Sequence, residues 1–503
     1  MYSSRAVVGL ALATFALFAL TSAGRIDTPD GQHRLDVALG LVDHGLPETT
    51  DVAQFASAAV RFNGLWHYTV YSAPPSLLGA GAVALARLLP AASEDRDGFA
   101  FVMASALAAT LGVLLLLDTL RLLGVQQREA LLTCVITATG TLLLPYAGSA
   151  FDQGQHLAVA LAALWATARA LQSPGSGPGW LLPGVFVGLG LAYREVHGIW
   201  IVGPAAAAWI RARGRARWVA LCWLAVGLVP GIALDAGWNL WRGGSVFPAG
   251  LADSGQRIFG NPLVGLAGLL VSPGKGVIWY SPPLLLGLLG LRGLAGQNRA
   301  FAAAVVGLAA AHTIVYSCFT FFGGDWCWGP RYMLVPAGVL MVAAPFAQIR
   351  REVSATIIAV GVSVQLLSLA RDHAAYVYEA RLPENFQFDH PEVYFTGSAL
   401  LARPAEIGEM YTASRPPDFA SFRSGDRPEL LTRGLLYPHP SVGPDWVRSY
   451  AVFWLPVPWP IWMRSLPEGV ATPVPVGGLL GVLGGLLVSG LLLVRRDIET
   501  NAG

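Results

Sequence analysis

An all-α, polytopic membrane protein is the fold class predicted by this sequence, on three observations. The 503 residues are 54% hydrophobic and only 13% charged, with a mean hydropathy of +0.53, whereas soluble domains carry roughly 25% charged residues. Apolar stretches of spanning length, about 18 residues or more, recur along the chain. Arginines gather in short loops between them, as in cytoplasmic connections. A formal net charge of +2 leaves no electrostatic footprint for nucleic acid. The cysteines Cys134, Cys222, Cys318 and Cys327 are scattered without zinc-ligand spacing, so they are read as packing residues rather than as a disulfide framework.

The first apolar segment, 6–23, follows Arg5 and ends in Ser22-Ala23-Gly24. Its apolar core is longer than the roughly 7–15 residues of a signal-peptide core, so a retained signal anchor is expected. A polar stretch, Arg25 to Arg34, comes next, with Pro29 and Gly31 interrupting the backbone. From Arg34 onward, Leu35, Ala38, Leu39 and Val42 share one face while Asp36, Asp43 and His44 take the others. That period predicts an amphipathic helix lying on the bilayer.

Further apolar segments follow at 74–90, 98–121, 129–147, 155–172, 180–193, 198–210, 217–237, 277–294, 300–321, 331–347, 353–370 and 474–494. Arg211, Arg213, Arg215 and Arg217 mark one cytoplasmic loop; Arg292 with Arg299, Arg350 with Arg351, and Arg495 with Arg496 mark others. From a cytoplasmic N-terminus, parity requires one early candidate not to cross. Either 74–90 is re-entrant or interfacial, or 180–210 is one long span with Arg194 and Glu195 at its middle. The first is preferred, because burying those charges would cost roughly 2.5–3.5 kcal/mol each. About 12 spans (11–13) result, with both termini cytoplasmic.

This topology divides the chain into a membrane module, 1–370, an extracytoplasmic segment or small domain, 371–473, and a final helix with its tail, 474–503. The first external loop is 24–97 and the fourth about 238–276; shorter external pieces fall at 148–154, 194–197 and 322–330. No internal repeat of the transporter kind is visible.

Six polar groupings lie on that external side. Asp27 and Asp30, with His33 and Arg34 beside them, suit a general base or a cation holder; the alternative is a polar cap on the first span. In Gly64-Leu-Trp-His-Tyr-Thr-Val-Tyr71-Ser-Ala-Pro-Pro75, Trp66 and Tyr68 read by default as interfacial belt anchors, and Pro74-Pro75 as a shaped entry compatible with a lipid-facing groove. Phe151-Asp152-Gln-Gly-Gln-His156 is a turn whose Asp could join the first pair. Arg194, Glu195 and His197 form a fourth group, with a local Arg194–Glu195 ion pair as the plain alternative. Lys275, in Ser272-Pro-Gly-Lys-Gly276, suits a phosphate oxygen but lacks nucleotide-loop spacing. The last group is Phe321-Phe-Gly-Gly-Asp-Trp-Cys-Trp-Gly-Pro-Arg-Tyr332. Arg331 offers a planar fork for phosphate, and Trp326 or Trp328 a flat face for a sugar ring; snorkelling of Arg331 to the headgroups is the alternative.

On these motifs the chain resembles the GT-C integral-membrane glycosyltransferases, such as protein O-mannosyltransferases, lipid A aminoarabinose transferases and oligosaccharyltransferases. The resemblance is carried by Asp30-Gly31-Gln-His-Arg-Leu-Asp-Val-Ala38 after the first span and by Gly323-Gly-Asp-Trp-Cys-Trp-Gly-Pro-Arg-Tyr332. The tracts Ser272–Pro282 and Tyr71–Pro75 add to it, and 371–473 lies outside it. It implies a GT-C-like bundle, a polyprenyl-phosphate sugar as donor, inversion at the anomeric carbon and an active site on the outer face of the plasma (inner) membrane. The first-loop catalytic Asp falls on Asp30, with Asp27 as runner-up, and the second-loop acid on Asp152. Donor phosphate falls to Arg331 and Lys275. Further substrate-binding candidates are His156, Arg194, Glu195, His33, Trp66, Tyr71, Trp326, Trp328 and Tyr332. The Glu that usually follows the first Asp is Gly31 here. No metal ligand set is assigned, and a divalent cation, Mg²⁺ or Mn²⁺, stays open. The acceptor is a lipid, a glycan or a protein, and membrane lipids are partners. A flippase of lipid-linked glycans and a non-catalytic scaffold on a degenerate GT-C fold are the competing readings.

Overall fold

The computed structural model describes residues 3–22, 26, 28–47, 59–62, 66–69, 71–88, 93–173, 177–247, 259–324, 327–370, 390–412 and 473–500. It begins with α1 (Ser4–Thr21), α2 (Pro29–His44), a hairpin of β1 (Ala59–Phe62) and β2 (Trp66–Thr69), and α3 (Ala73–Ala86). Then come α4 (Ser93–Leu122), α5 (Gln127–Gly140), α6 (Leu143–Ala147), α7 (Gln153–Gln172) and α8 (Leu181–Tyr193). After a 3₁₀ segment, Glu195–Ile201, follow α9 (Val202–Arg211), α10 (Arg215–Gly243), α11 (Pro262–Val271), α12 (Val277–Tyr280), α13 (Leu284–Gln297) and α14 (Arg299–Ser317). The 3₁₀ turn Arg331–Met333 leads into α15 (Leu334–Leu340). The remaining helices are α16 (Arg351–Ala370), α17 (Val393–Thr396), α18 (Ala399–Thr412) and α19 (Pro473–Thr500).

Among the described residues, five helices are long and apolar enough to cross a membrane: Ser4–Thr21, Arg96–Leu122, Arg215–Arg242, Arg299–Ser317 and Arg351–Leu369. The chain is a multi-pass membrane protein. Helix α3 has 14 residues, about 21 Å at 1.5 Å per residue, well short of a hydrocarbon core of about 30 Å. It packs between α2 and α4 instead.

Two features depart from the all-α expectation of long spans. Strands β1 and β2 pair antiparallel from Ala59↔Thr69 to Phe62↔Trp66. Aromatic and β-branched residues favour the extended backbone there, and Asn63-Gly64 separates the two strands as a turn signal. Helix α11, ten residues, lies inside the piece 238–276 that the sequence reading expects to be external, and Asn261 caps it by accepting from the Leu263 amide. Ten residues are too few for the spanning pattern to register.

The bundle is drawn tight by small residues. Gly184 and Gly188 of α8 face Gly227 and Gly231 of α10, where any Cβ would meet the opposite backbone; spacing by four puts each pair on one face. Gly9 of α1 and Gly490 of α19 make the same kind of approach. One end of the bundle is tied by Ser3 N to Gln127 Oε1 at 3.2 Å, Gln172 Nε2 to the Leu122 carbonyl at 2.8 Å and Gln297 Nε2 to the Leu123 carbonyl at 2.7 Å. The arginine-rich loops belong to this end. The polar groupings meet at the other.

Candidate active site

The site is built from the first turn of α2. Thr28 caps the helix, its Oγ1 accepting from the Gly31 amide at 2.9 Å, and Pro29 holds the first helical position, where its missing N–H costs nothing. Gly31 is there because nothing larger fits. A Cβ on it would overlap the Cβ of Ala150, and it would also crowd the Ala150 carbonyl at 3.3 Å. The 148–152 turn is held in turn by Ser22, whose hydroxyl donates to the Gly148 carbonyl at 2.7 Å. Asp30 and Arg34, one helical turn apart, therefore face that loop together.

Arg34 Nη2 lies 2.9 Å from Asp152 Oδ2, and both side chains are 2% exposed. His156 Nε2 approaches the same oxygen at 3.3 Å. The Arg34 guanidinium stacks over the Tyr71 ring, 4.5 Å from its centroid. Tyr71 donates its hydroxyl to Asp30 Oδ1 at 2.7 Å. Arg331 Nη1 stands 3.4 Å from Asp30 Oδ2, while its Nη2 donates to the Tyr332 hydroxyl at 3.1 Å. Asp30 is 21% exposed, so its carboxylate is open to a substrate while Asp152 is sealed below it. Tyr71 is fixed from behind: its carbonyl accepts from Arg242 Nη1 at 2.6 Å and from Trp238 Nε1 at 3.1 Å, both on α10.

Beneath the charges lies a floor of rings. Tyr332 stacks on Tyr316 at 4.4 Å, and Arg194 lies 5.3 Å above the Tyr332 ring. His197 meets the Tyr316 hydroxyl at 3.0 Å, and His312 bridges Trp200 Nε1, at 2.9 Å, and the Tyr332 carbonyl, at 2.8 Å. Arg331 also sits 4.6 Å from the Phe151 centroid. A rigid aromatic bed thus holds Arg194 and Arg331 near the two carboxylates.

Three guanidiniums, Arg34, Arg194 and Arg331, accompany Asp30 and Asp152. Burial pushes the Asp30 carboxyl up, but Arg331, then Arg34, the Tyr71 hydrogen bond and Arg194 together outweigh it and hold the group below its ordinary value. Burial likewise opposes ionisation of Asp152, yet Arg34, His156 and Arg194 keep it well below the carboxylate range. His33 falls to about 4, chiefly through burial and further through Arg34, against the pull of Asp30. The Tyr71 phenol is raised well above its usual range by burial and by the Asp30 charge. At neutral pH the site therefore holds two carboxylates, a neutral His33 and a protonated Tyr71.

The structure brings together Asp30, Arg331, Tyr71, Asp152, His156, Arg194 and Tyr332, with His33 centred 5.9 Å from the Tyr71 ring. Other expected site residues are placed differently. The Lys275 ammonium donates to the Cys327 and Gly329 carbonyls at 2.7 and 3.0 Å, so it fastens the 327–329 loop rather than presenting itself to a phosphate. Trp328 is 5% exposed, packed edge-on to Tyr280 at 5.2 Å and covered by Arg403 at 5.3 Å; it offers no open face to a sugar. Glu195 is exposed and lies within electrostatic reach of Asp235 and Arg242, while Arg194 turns over Tyr332 instead of pairing with its neighbour. Asp27, Trp326 and the Trp66 side chain lie outside the described residues, as does most of 371–473. The described piece 390–412 packs on the site loops: Gly274 N donates to the Tyr394 carbonyl at 2.9 Å, and the Tyr394 ring meets Phe322 at 5.3 Å. The sequence places Arg34 beside the first pair without a role, and Phe151 and Tyr316 are not among the expected site residues. The four-residue step from Asp30 to Arg34 was the readable signal; Phe151 and Tyr316 enter through tertiary packing.

A divalent ion fits this arrangement poorly. Asp152 is enclosed by Arg34 and His156, and the Asp30 oxygens face Tyr71 and Arg331. Among the described residues, no group of three or more His, Cys, Asp or Glu side chains is arranged to hold a metal.

The fold is that of the GT-C membrane glycosyltransferases. Among solved structures, the chain is similar to apo ArnT from Cupriavidus metallidurans, at 15% identity and a TM-score of 0.50, covering 92% of this chain and 77% of that one. The same protein bound to undecaprenyl phosphate matches at 15% identity and a TM-score of 0.47 over the same shares. Archaeal oligosaccharyltransferase AglB from Archaeoglobus fulgidus, in complex with an inhibitory peptide and a dolichol-phosphate, matches at 14% identity and 0.43, covering 86% of this chain and 60% of that one. No curated protein matches the chain. Residues 82–241 match the family model described as dolichyl-phosphate-mannose-protein mannosyltransferase. That segment holds Asp152, His156 and Arg194 but neither Asp30 nor Arg331. In fold the chain is similar to the GT-C membrane glycosyltransferases, and about a third of its length matches the mannosyltransferase family model.

Proposed function

We propose that the enzyme moves a sugar from a polyprenyl-phosphate donor to a hydroxyl or amide group of a lipid, glycan or protein acceptor, with inversion, on the extracytoplasmic face. The observation that carries this reading is the partly exposed Asp30 carboxylate, with Arg331 3.4 Å away at the bundle end opposite the arginine-rich loops. The matched family is named for a dolichyl-phosphate sugar donor, and a cluster richer in guanidinium than in carboxylate suits a phosphate.

In this reading the donor phosphate docks on Arg331 and Arg194, which lies over Tyr332 within reach of the same space. Drawing Arg331 toward phosphate loosens its hold on Asp30 and returns proton affinity to the carboxylate. An acceptor O–H or N–H then gives its proton to Asp30 as its heteroatom bonds the anomeric carbon. The bond from that carbon to the phosphate oxygen breaks, and polyprenyl phosphate leaves with the electron pair, its charge held by the guanidiniums. Lys275 acts from behind by fixing the loop that carries Arg331.

Twelve crossings accord with this chemistry: α1, α4, α5 with α6, α7, α8, the 195–211 segment, α10, the 277–297 segment, α14, the 331–346 segment, α16 and α19. Both termini are then cytoplasmic, α2, α3 and α11 are interfacial, and 371–473 is external. The assignment is tested by binding of synthetic polyprenyl phosphate to purified protein. Arg331→Met and Arg194→Met should each weaken binding at least tenfold, whereas unchanged binding in both variants contradicts the phosphate site.

A further inference from the structure

We propose that Arg34 is a built-in cation in the place a divalent metal would take between the first-loop and second-loop carboxylates, so that the enzyme works without a metal. The inference deepens the transferase reading and rests on it only for its catalytic consequence.

A divalent ion in such a site would neutralise carboxylates crowded at a membrane surface and would also grip a substrate oxygen. Arg34 achieves the neutralisation by geometry. It comes from the same helix as Asp30, one turn on, and its Nη2 reaches Asp152 Oδ2 at 2.9 Å with both side chains 2% exposed. Its position is fixed by the Tyr71 ring 4.5 Å from the guanidinium carbon, and Tyr71 itself donates to Asp30 at 2.7 Å. The guanidinium thus connects one carboxylate directly and the other through a single phenol. Arg34 is enclosed with Asp152, and its Nε and Nη1 are buried without a hydrogen-bond partner among the described residues, so its charge acts on the carboxylates and not on solvent. An ion entering here would have to displace Arg34 from Asp152 while facing Arg331 and Arg194. The close approach at Gly31, where a side chain would collide with Ala150, brings Arg34 up to the turn that carries Asp152.

The test is Mn²⁺ binding to the purified full-length protein, read by electron paramagnetic resonance, alongside sugar transfer in the presence of EDTA. The wild type should show no stoichiometric Mn²⁺ binding and the same transfer rate with and without chelator. Arg34→Gln should gain Mn²⁺ affinity by at least tenfold, and Asp152→Asn in that background should remove the gain. One Mn²⁺ bound per wild-type chain and lost in Asp152→Asn or Asp30→Asn overturns the proposal; so does transfer that EDTA stops and Mn²⁺ restores, or Arg34→Gln that gains no affinity. Should Arg34→Gln not fold, the wild-type measurements decide alone. The Mn²⁺ spectrum needs no turnover, so a chain inactive on every donor still answers this question while failing the transferase reading.

Discussion

Tyr71 shows how much of the site depends on one side chain. Its hydroxyl holds Asp30, its ring carries Arg34, and its carbonyl is clamped by α10. A hydrogen bond to a charged group is worth about 1.5–3 kcal/mol, so Tyr71→Phe should lower kcat about tenfold or more and move the acid limb of the rate profile upward, which a pH–rate series would check. Asp30 and His33 also set a pH dependence of stability. The Asp30 carboxyl is lowered from 3.8, so its ionised form contributes fully above that value, and the contribution is lost as pH falls through the lower, folded value. His33 drops from 6.5 to about 4; the unfolded chain binds its proton first, so stability falls as pH goes from about 6.5 toward 4. Thermal melts of His33→Gln should be flatter across that window than those of the wild type. Part of this was readable in the sequence. Asp30, Tyr71, Asp152, Arg194 and Arg331 are polar or aromatic residues at the mouths of apolar segments, where they stand out. Lys275 and Trp328 look equally available in the sequence, because their enclosure depends on distant chain segments: Cys327 and Gly329 for Lys275, Tyr280 and Arg403 for Trp328.

At the scale of the element, α2 is the part on which the site turns. The amphipathic period from Arg34 to Val42 predicts its existence, but the helix starts at Pro29, capped by Thr28, so Pro29 and Gly31 lie within its first turn instead of interrupting the backbone; its depth against the 148–152 turn rests on Gly31 and is invisible until Ala150 is in place. Gly31→Ala should therefore destabilise the protein by about 1–3 kcal/mol, the usual cost of overpacking, and reduce transfer. Ala150→Gly should recover a good part of both in the double variant; a Gly31→Ala protein as stable and active as wild type contradicts the packing account. The 321–332 loop is a second such element. Gly324 and Gly329 hold φ of +74° and +61°, which only glycine adopts without strain, and Lys275 ties the loop's carbonyls. Lys275→Met keeps the bulk but leaves two buried carbonyls without their donor, at about 1–3 kcal/mol. The donor KM should rise while kcat stays within about threefold; an unchanged KM would show that the loop needs no such tie.

At the scale of the whole molecule, the arginine-rich connections and the carboxylate cluster occupy opposite ends of one bundle. The sequence predicts this separation through the positive-inside pattern; the arithmetic of crossings requires one non-crossing piece, and the cost of burying Arg194 and Glu195 selects 74–90, the stretch that holds α3. The hairpin, the short α11 and the docking of 390–412 on the site loops stay hidden, since each depends on contacts rather than on apolar length. Single cysteines placed at Glu195 and Arg213 in a background lacking the native four should label from opposite sides of intact cells, the first by an impermeant maleimide and the second only after permeabilisation. Labelling of both from outside contradicts the arrangement. The central claim, that this cluster cleaves a polyprenyl-phosphate sugar, is tested most directly by incubating purified wild-type and Asp30→Asn protein with a panel of such donors and acceptors and measuring released polyprenyl phosphate. Release by the wild type that falls about 10²–10⁴-fold in Asp30→Asn, with polyprenyl phosphate binding retained, is the predicted result. Equal release by the two proteins would contradict it.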